Sequence, residues 1–433
     1  MLKRYCFLVL FLGLLSCGDD TSCNSNVDLS DIEIALEFDN LTHEIHGIKT
    51  KAALNDFLAA NPIIRDEFFE FGGRPSEQKV LNDIAQLVQA DDIKSLFNIK
   101  SFAQFEEILD KERELREFVA YEYLETNKGK RLKDIYDIFS ASSITRITGT
   151  ESTSLEPLKT YLESNPVEKD YFYTLFAFRS DEQLLQDNFD LLQNPFVDTL
   201  YQETINLIDA GLVSYELDRA YARLQKHYPE FESPKVKAVY SGFGADIYFS
   251  DTLIVLGMDY YLGENASYRP TVYDYIRIRL TPDHLVPQLL QFTSLKFNKN
   301  IEGKRNVLEE MISYGKALEF SKEMLPCVPD SLIMGYTNQQ LANATVSEGV
   351  IWSHFVENKL LYSDSPSNIK KYVDERPFVP EIDKICPGRI GQWVGWQIVR
   401  AYREETGVDF VDLMNETDAQ KILTQSKYRP RYR

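Results

Sequence analysis

The hydrophobic period of the chain changes near residue 230, and that change fixes the class of fold. Upstream, apolar residues recur at helical spacing. Phe102, Phe105, Ile108 and Leu109 share one face, Leu115, Phe118 and Val119 resume it, and Asn127-Lys128-Gly129-Lys130 is a stop signal. Downstream, Pro229 and Pro234 punctuate, and Val236, Ala238 and Tyr240 alternate as in a strand. Ser241-Gly242-Phe243-Gly244 reads as a turn, with two further strands over 245–249 and 252–257. Helical spacing then returns over 304–325, where Leu308, Met311, Ile312 and Leu318 share a face with Gly315. It returns again over 389–404, where Ile390, Val394, Ile398 and Ala401 do. A mostly α chain with a small β-sheet, an α+β fold, is predicted, with a helical region over 31–229 and an α+β domain over 230–433.

The helical region carries an internal duplication. Residues 54–78 and 158–183 align at an offset of 104: Leu54 with Leu158, Phe57 with Tyr161, Leu58 with Leu162, Asn61-Pro62 with Asn165-Pro166, Asp66 with Asp170, Phe68 with Phe172. Two copies are too few for a solenoid, so paired helical modules are expected. In each, the Asn-Pro step divides one helix from the next, because proline disfavours helix at the residue before it.

The N-terminus reads as an export signal. Lys3 and Arg4 precede an apolar run from Tyr5 to Leu15, eleven residues long and too short to span a bilayer. Leu14-Leu15-Ser16-Cys17 then fits a bacterial lipobox. Residues 1–16 are expected to leave as a lipoprotein signal peptide, with Cys17 acylated and anchored in a membrane. Residues 17–30 are small, polar and acidic, the composition of a flexible tether. With 44% hydrophobic and 12% aromatic residues the remainder can bury a substantial core. A formal charge of −20 argues against nucleic acid as a partner and against broad contact with anionic lipid. Beyond Cys6 and Cys17 the cysteines are Cys23, Cys327 and Cys386. Cys327 and Cys386 can pair in an oxidising compartment, but spacing alone does not decide it.

Constellations of catalytic type are missing. No GxSxG, P-loop or GxGxxG pattern occurs, and no Cys/His metal spacing. His43-Glu44-Ile45-His46 places its histidines three apart, where a helical zinc motif needs four. Histidines are therefore expected on the surface, and Glu309-Glu310 and Glu404-Glu405 on solvated helix faces. No catalytic residue, metal ligand or cofactor is assigned. The densest polar and aromatic cluster is C-terminal: Tyr336, Glu348, Trp352, Arg389, Trp393 and Trp396. Tryptophan and arginine are common interface anchors, so these six are candidate partner-binding residues, with core packing as the alternative. Gly391 and Gly395, four apart, would let another element approach closely.

Several runs, in order, resemble the gliding-motility lipoprotein GldB family. They are Ser241-Gly242-Phe243, GMDYYLGEN at 257–265, MISYGKALEF at 311–320, GYTNQQL at 335–341, EGVIWSHFVENKLLYS at 348–363, GRIGQWVGWQIVRAY at 388–402 and SKYRP at 426–430. IEIALEFDNL at 32–41 resembles the family's opening strand or helix. The resemblance implies a cell-envelope component, with protein partners in the motility or secretion apparatus and no small-molecule substrate. A remoter likeness is to HExxH-type zinc peptidases with the metal site lost. PQLLQFTSLKF at 287–297 stands where the HExxH helix would be, and Tyr314-Gly315 where a third ligand would be. Glutamine, phenylalanine, leucine and tyrosine supply no ligands in those places. The expected function is a lipid-anchored, non-catalytic component of the machinery that moves adhesins. A metallohydrolase of zincin shape, active or relict, and a surface ligand-binding lipoprotein are the alternatives.

Overall fold

The computed structural model describes residues 29, 32, 34, 36–89, 155–299 and 305–430. The lipobox with Cys17, the tether and the helix expected around 102–119 lie outside the described residues. The chain divides into two compact units, one of residues 44–198 and one of 1–43 with 199–433. The architecture is mostly α with one small mixed sheet.

The first division between the units falls within α1 (Thr42–His46), and in the first unit α2 (Lys51–Ala60) starts at Thr50, whose hydroxyl accepts from the Ala53 amide. A π-helical turn (Ile64–Phe68) and α3 (Glu77–Gln89) follow, then α4 (Glu156–Ser164), α5 (Pro166–Leu175) and α6 (Asp181–Leu192). Leu54, Phe57, Leu58, Phe68, Leu158, Leu162 and Phe172 are buried, so most of the aligned apolar positions point inward. The two Asn-Pro steps share their geometry. Asn61 and Asn165 both sit at φ −129°, and their side-chain amides donate to Phe57 O at 3.0 Å and Tyr161 O at 2.7 Å. Each asparagine thus satisfies a carbonyl that the closing helix leaves without a partner. The arms after the prolines differ: α5 is regular, while the earlier arm winds into the π turn.

In the second unit, β1 (Phe38–Asn40) pairs parallel with β2 (Lys235–Val239), β2 parallel with β4 (Leu253–Gly257), and β4 antiparallel with β3 (Ile247–Phe249), in the order β1-β2-β4-β3. The segment at 32–41 therefore contributes a strand. The inner strand β4 is almost continuously apolar because both its faces are covered. A 3₁₀ turn (Met258–Tyr261) follows, and Asp259, fully buried, accepts from the Ser241 and Phe243 amides to hold the 241–244 turn.

Helices make up the rest of this unit: α7 (Pro195–Leu207), within which the division between units falls, α8 (Ala210–His227), α9 (Asp274–Arg277), α10 (Pro282–Ser294), α11 (Val307–Met324), α12 (Asp330–Met334), α13 (Asn338–Val346), α14 (Glu348–Glu357), α15 (Pro366–Tyr372), α16 (Ile390–Thr406), α17 (Phe410–Asn415) and α18 (Ala419–Ser426). Helices α11 and α16 cross backbone to backbone. A Cβ on Gly395 would lie 1.8 Å from Met311 O, and one on Gly315 would lie 2.4 Å from Gly395 C. The close approach expected of Gly395 is thus met at Gly315 of α11. Beside the crossing, Glu319 accepts from Trp396 Nε1 at 2.8 Å and Arg403 Nη1 at 2.7 Å, and Arg400 bonds Asp330 at 2.6 Å. Among the described residues, no helix is long and apolar enough to cross a membrane.

Candidate functional site

A cleft of about 740 Å³ lies within the second unit, between α10, α11, α12 and the segment 374–392. One wall is the face of α10 that carries His284, Gln288, Gln291, Phe292 and Leu295. The Gln291 side chain donates to Ile333 O at 2.8 Å and that of Gln392 to Val373 O at 2.8 Å, so both amides are held by backbone. Leu295 is 66% exposed at the rim.

The charges are unevenly placed. Near His284, Glu375 is shared by two arginines, with Arg279 at 2.9 Å and Arg389 at 3.6 Å. Arg389 sits in left-handed conformation just before α16, and its Nη2 donates to Met334 O and Gly335 O at 2.7 and 3.0 Å. Gly335 has φ +68°, and a Cβ there would lie 2.5 Å from Arg279 Cδ, so this corner needs glycine for both conformation and room. Burial, and then the neighbouring Arg279, lower the Arg389 guanidinium to about 10. Near Leu295, Arg305 pairs with Glu310 at 3.0 Å and bonds Ser313 Oγ, while Asn298 donates to Ser313 O. Burial raises the Glu310 carboxyl above its ordinary range, with Arg305 opposing and Asp374 adding to the rise.

His284 is 9% exposed, which corrects the expectation that the histidines are superficial. As the third residue of α10 it turns inward, and its Nδ1 lies 2.7 Å from the Thr281 hydroxyl. Burial pushes the imidazole down to about 4 against the pull of Asp283, and Arg279 and Arg389 lower it further, so it is neutral at pH 7. His284 Nε2 and Arg279 Nε are buried atoms with no hydrogen-bond partner. Glu310 also departs from expectation: it lines the cleft, whereas Glu404 and Glu405 are exposed as expected.

The six candidate partner-binding residues separate into three places. Arg389 lines the cleft, and Tyr336 lies behind it, its ring under the guanidinium and its hydroxyl donating to Gly388 O at 2.6 Å. Glu348 and Trp352 meet the C-terminal segment instead, the carboxylate accepting from the Tyr428 hydroxyl and the indole meeting the Tyr428 ring edge-on at 5.1 Å. Trp393 and Trp396, 2% and 0% exposed, are core side chains and present no surface to a partner. Arg279, His284, Gln288 and Glu375 were not singled out by sequence. They come from separate segments, and no local pattern joins them. Cys386 is free and buried while Cys327 is disulfide-bonded, so these two do not pair with each other.

Gln288, Gln291, Phe292 and Tyr314 line one cleft. Among the described residues, no group of three histidine, cysteine or carboxylate side chains is placed to hold a metal.

These features define a helix-rich α+β protein with a preformed, charge-lined cleft. The family model for gliding motility protein GldB matches residues 128–430, well over half of the chain, and the chain belongs to that family. The match takes in residues 158–183 as well as the C-terminal runs, while 32–41 lies outside it. Comparison with curated proteins and with solved structures gives no match.

Proposed function

We propose that the protein is a lipid-anchored, non-catalytic component of the gliding-motility apparatus in the cell envelope, acting through a protein partner. Family membership over residues 128–430 carries this reading. On it, residues 1–16 are removed, acyl chains on Cys17 hold the chain to a membrane, residues 17–30 act as tether, and the body reaches a partner through its C-terminal unit. The disulfide at Cys327 supports a body outside the cytoplasm, since such bonds persist in oxidising compartments. The matched halves of 54–78 and 158–183 support an ancestral duplication of a helix–Asn–Pro–helix module.

A clean deletion strain should lose surface spreading, and Cys17→Ala should reproduce that loss while leaving the purified body folded. Normal spreading of the deletion strain overturns the reading. Peptide mapping of the anchored protein under non-reducing conditions should find Cys386 reactive only after unfolding and should identify the cysteine bonded to Cys327; a free thiol at Cys327 removes the argument for export.

A relict metallohydrolase is the second reading, favoured by the shared cleft of α10 and α11. Elemental analysis separates it from an active enzyme: stoichiometric zinc in the purified protein would mean that the site still works.

A further inference from the structure

Cys327 is disulfide-bonded, yet the other cysteine among the described residues, Cys386, is a buried free thiol. The sequence holds five cysteines, so the partner of Cys327 is Cys6, Cys17 or Cys23, all outside the described residues. On the reading above, Cys6 leaves with residues 1–16, and the sulfur of Cys17 is taken by its lipid. Cys23, within the tether, is what remains.

The surroundings of Cys327 suit such a bond. It is exposed, on the turn that joins α11 to α12, between Pro326 and Pro329. The turn is held from within and from α8: Arg223 Nη1 donates to Met324 O at 3.2 Å, Lys322 Nζ to Val328 O at 2.7 Å, and the Val328 amide to Leu325 O at 3.1 Å. His227 of α8 adds a contact to Glu323 at 3.4 Å. Proline on both sides fixes φ, so the sulfur at 327 stands at a set place on the surface. The chain ahead of β1 stays on the same unit. Leu29 is buried there, and its carbonyl accepts from the Ile32 amide. Cys23 precedes Leu29 by six residues, about 20 Å of extended chain.

We propose that Cys23 and Cys327 form a disulfide that staples the tether to the end of α11, so that residues 18–22 alone separate the lipid from the body and the α11–α12 turn is the pole that faces the membrane. The inference rests on the lipid-anchor reading. It goes further by naming where the anchor grips the body and which way the body is turned. The bond is made by exchange with the disulfide of a thiol oxidase in an oxidising compartment. One cysteine thiolate attacks that disulfide, giving a mixed disulfide and one oxidase thiol. The second cysteine thiolate then displaces the other oxidase sulfur. Two cysteine thiols are oxidised, one oxidase disulfide is reduced to a dithiol, and the two protons end on that dithiol. The lead from Cys17 to Cys23 is six steps, about 20 Å; without the bond it runs twelve steps to Leu29, about 40 Å. The staple therefore halves the reach of the anchor.

The test uses the full mature lipoprotein, extracted from envelopes with free thiols blocked by N-ethylmaleimide and digested without reductant. Cleavage before Asp19 and Asp20 separates Cys17 from Cys23, and cleavage after Lys322 releases Cys327. Mass spectrometry should find the Cys23 and Cys327 peptides joined within one chain and the lipid on Cys17. For the orientation, a photo-crosslinking amino acid replaces the exposed Pro329 in protein reconstituted in lipid vesicles. It should label lipid, and Cys23→Ser should lower that labelling about threefold, the fall in effective concentration for a doubled lead. The peptide map needs no variant, so it stands even if a substituted protein fails to fold. A free thiol at Cys23 or Cys327 beside a lipid-bearing Cys17, a bond joining two chains, or lipid labelling indifferent to Cys23→Ser overturns the staple and leaves the lipid anchor standing. A bond from Cys327 to Cys6 or Cys17 overturns both.

Discussion

The two units bury different things. In residues 44–198 the buried polar residue among those described is Asn188, which donates to Phe69 O and Leu184 O. In the second unit Arg223, Asp259, His284, Lys316, Glu319 and Arg389 are all buried. The first unit is closed by apolar faces and by caps that satisfy nearby backbone, as at Thr50, Asn61 and Asn165. The second is closed by charges whose partners lie far away in sequence: Glu319 with Arg403, Lys316 with Lys299 O and Glu416 O, Arg389 with Met334 O. Burial of a charge costs several kcal/mol unless its partners are well placed. An arrangement of this kind therefore tolerates few alternatives, and it is the unit with the cleft that is built so.

The sharpest way to break this contrast is at the helix crossing. Gly395→Leu places side-chain atoms inside the Met311 backbone, where no rotamer relieves the clash, and should cost more than about 4 kcal/mol. Calorimetry should then show loss of the transition of the second unit while that of 44–198 persists; a single joint loss would mean that the units do not unfold independently. Next in size is Glu319→Ala, which leaves buried Trp396 Nε1 without its acceptor, while Arg400 keeps Asp330 and Arg403 keeps Glu323. A loss of roughly 1.5–3 kcal/mol is expected in denaturant unfolding. The exposed pair Arg179–Glu70 of the first unit, at 2.6 Å, is the control, and Arg179→Ala should cost under about 1 kcal/mol.

A pH dependence separates the units further. Burial pushes the Asp259 carboxyl up to about 6, against the backbone amides that favour its charged form. Because the folded value lies above the unfolded one, the contribution to stability is fully present below about 4 and is lost as pH rises through 6. Through this group the second unit should lose about 1 kcal/mol between pH 5 and pH 7, opposite in sign to the contribution of His284, lowered to about 4, and the difference between the unaltered protein and Asp259→Asn should report that loss. The smallest effect concerns the repeat. Asn61→Ala and Asn165→Ala each remove one side-chain bond to a helix-end carbonyl and should each cost about 0.5–1 kcal/mol. Unequal losses would show that the two modules have diverged in what holds them.

Much of the fold was legible in order. Helices α11 and α16 fall within a few residues of their expected limits, as do the strands after Pro234, because each is marked by its own apolar period and its flanking turn residues. The role of Gly395 was legible too, since a helical glycine facing a core points to close packing. The site was far less so. Arg389 was singled out as one of six residues, but Trp393 and Trp396 on the same helix belong to the core, and a helix carries core and cleft positions within one turn. His284 was assigned to the surface because a single histidine gives no sign of its surroundings.

By itself, then, the sequence determined the class of fold, the approximate limits of α11, α16 and the strands after Pro234, and the resemblance to the GldB family, all of which are written in local period or in contiguous runs. Tertiary structure alone decided that 38–40 joins a sheet whose next strand begins at Lys235, that Cys327 and Cys386 do not pair with each other, and that Arg279, His284 and Glu375 meet at one corner. Periodicity is a property of neighbours along the chain, whereas a parallel strand pair, a disulfide or a shared carboxylate joins segments whose separation leaves no trace in either one.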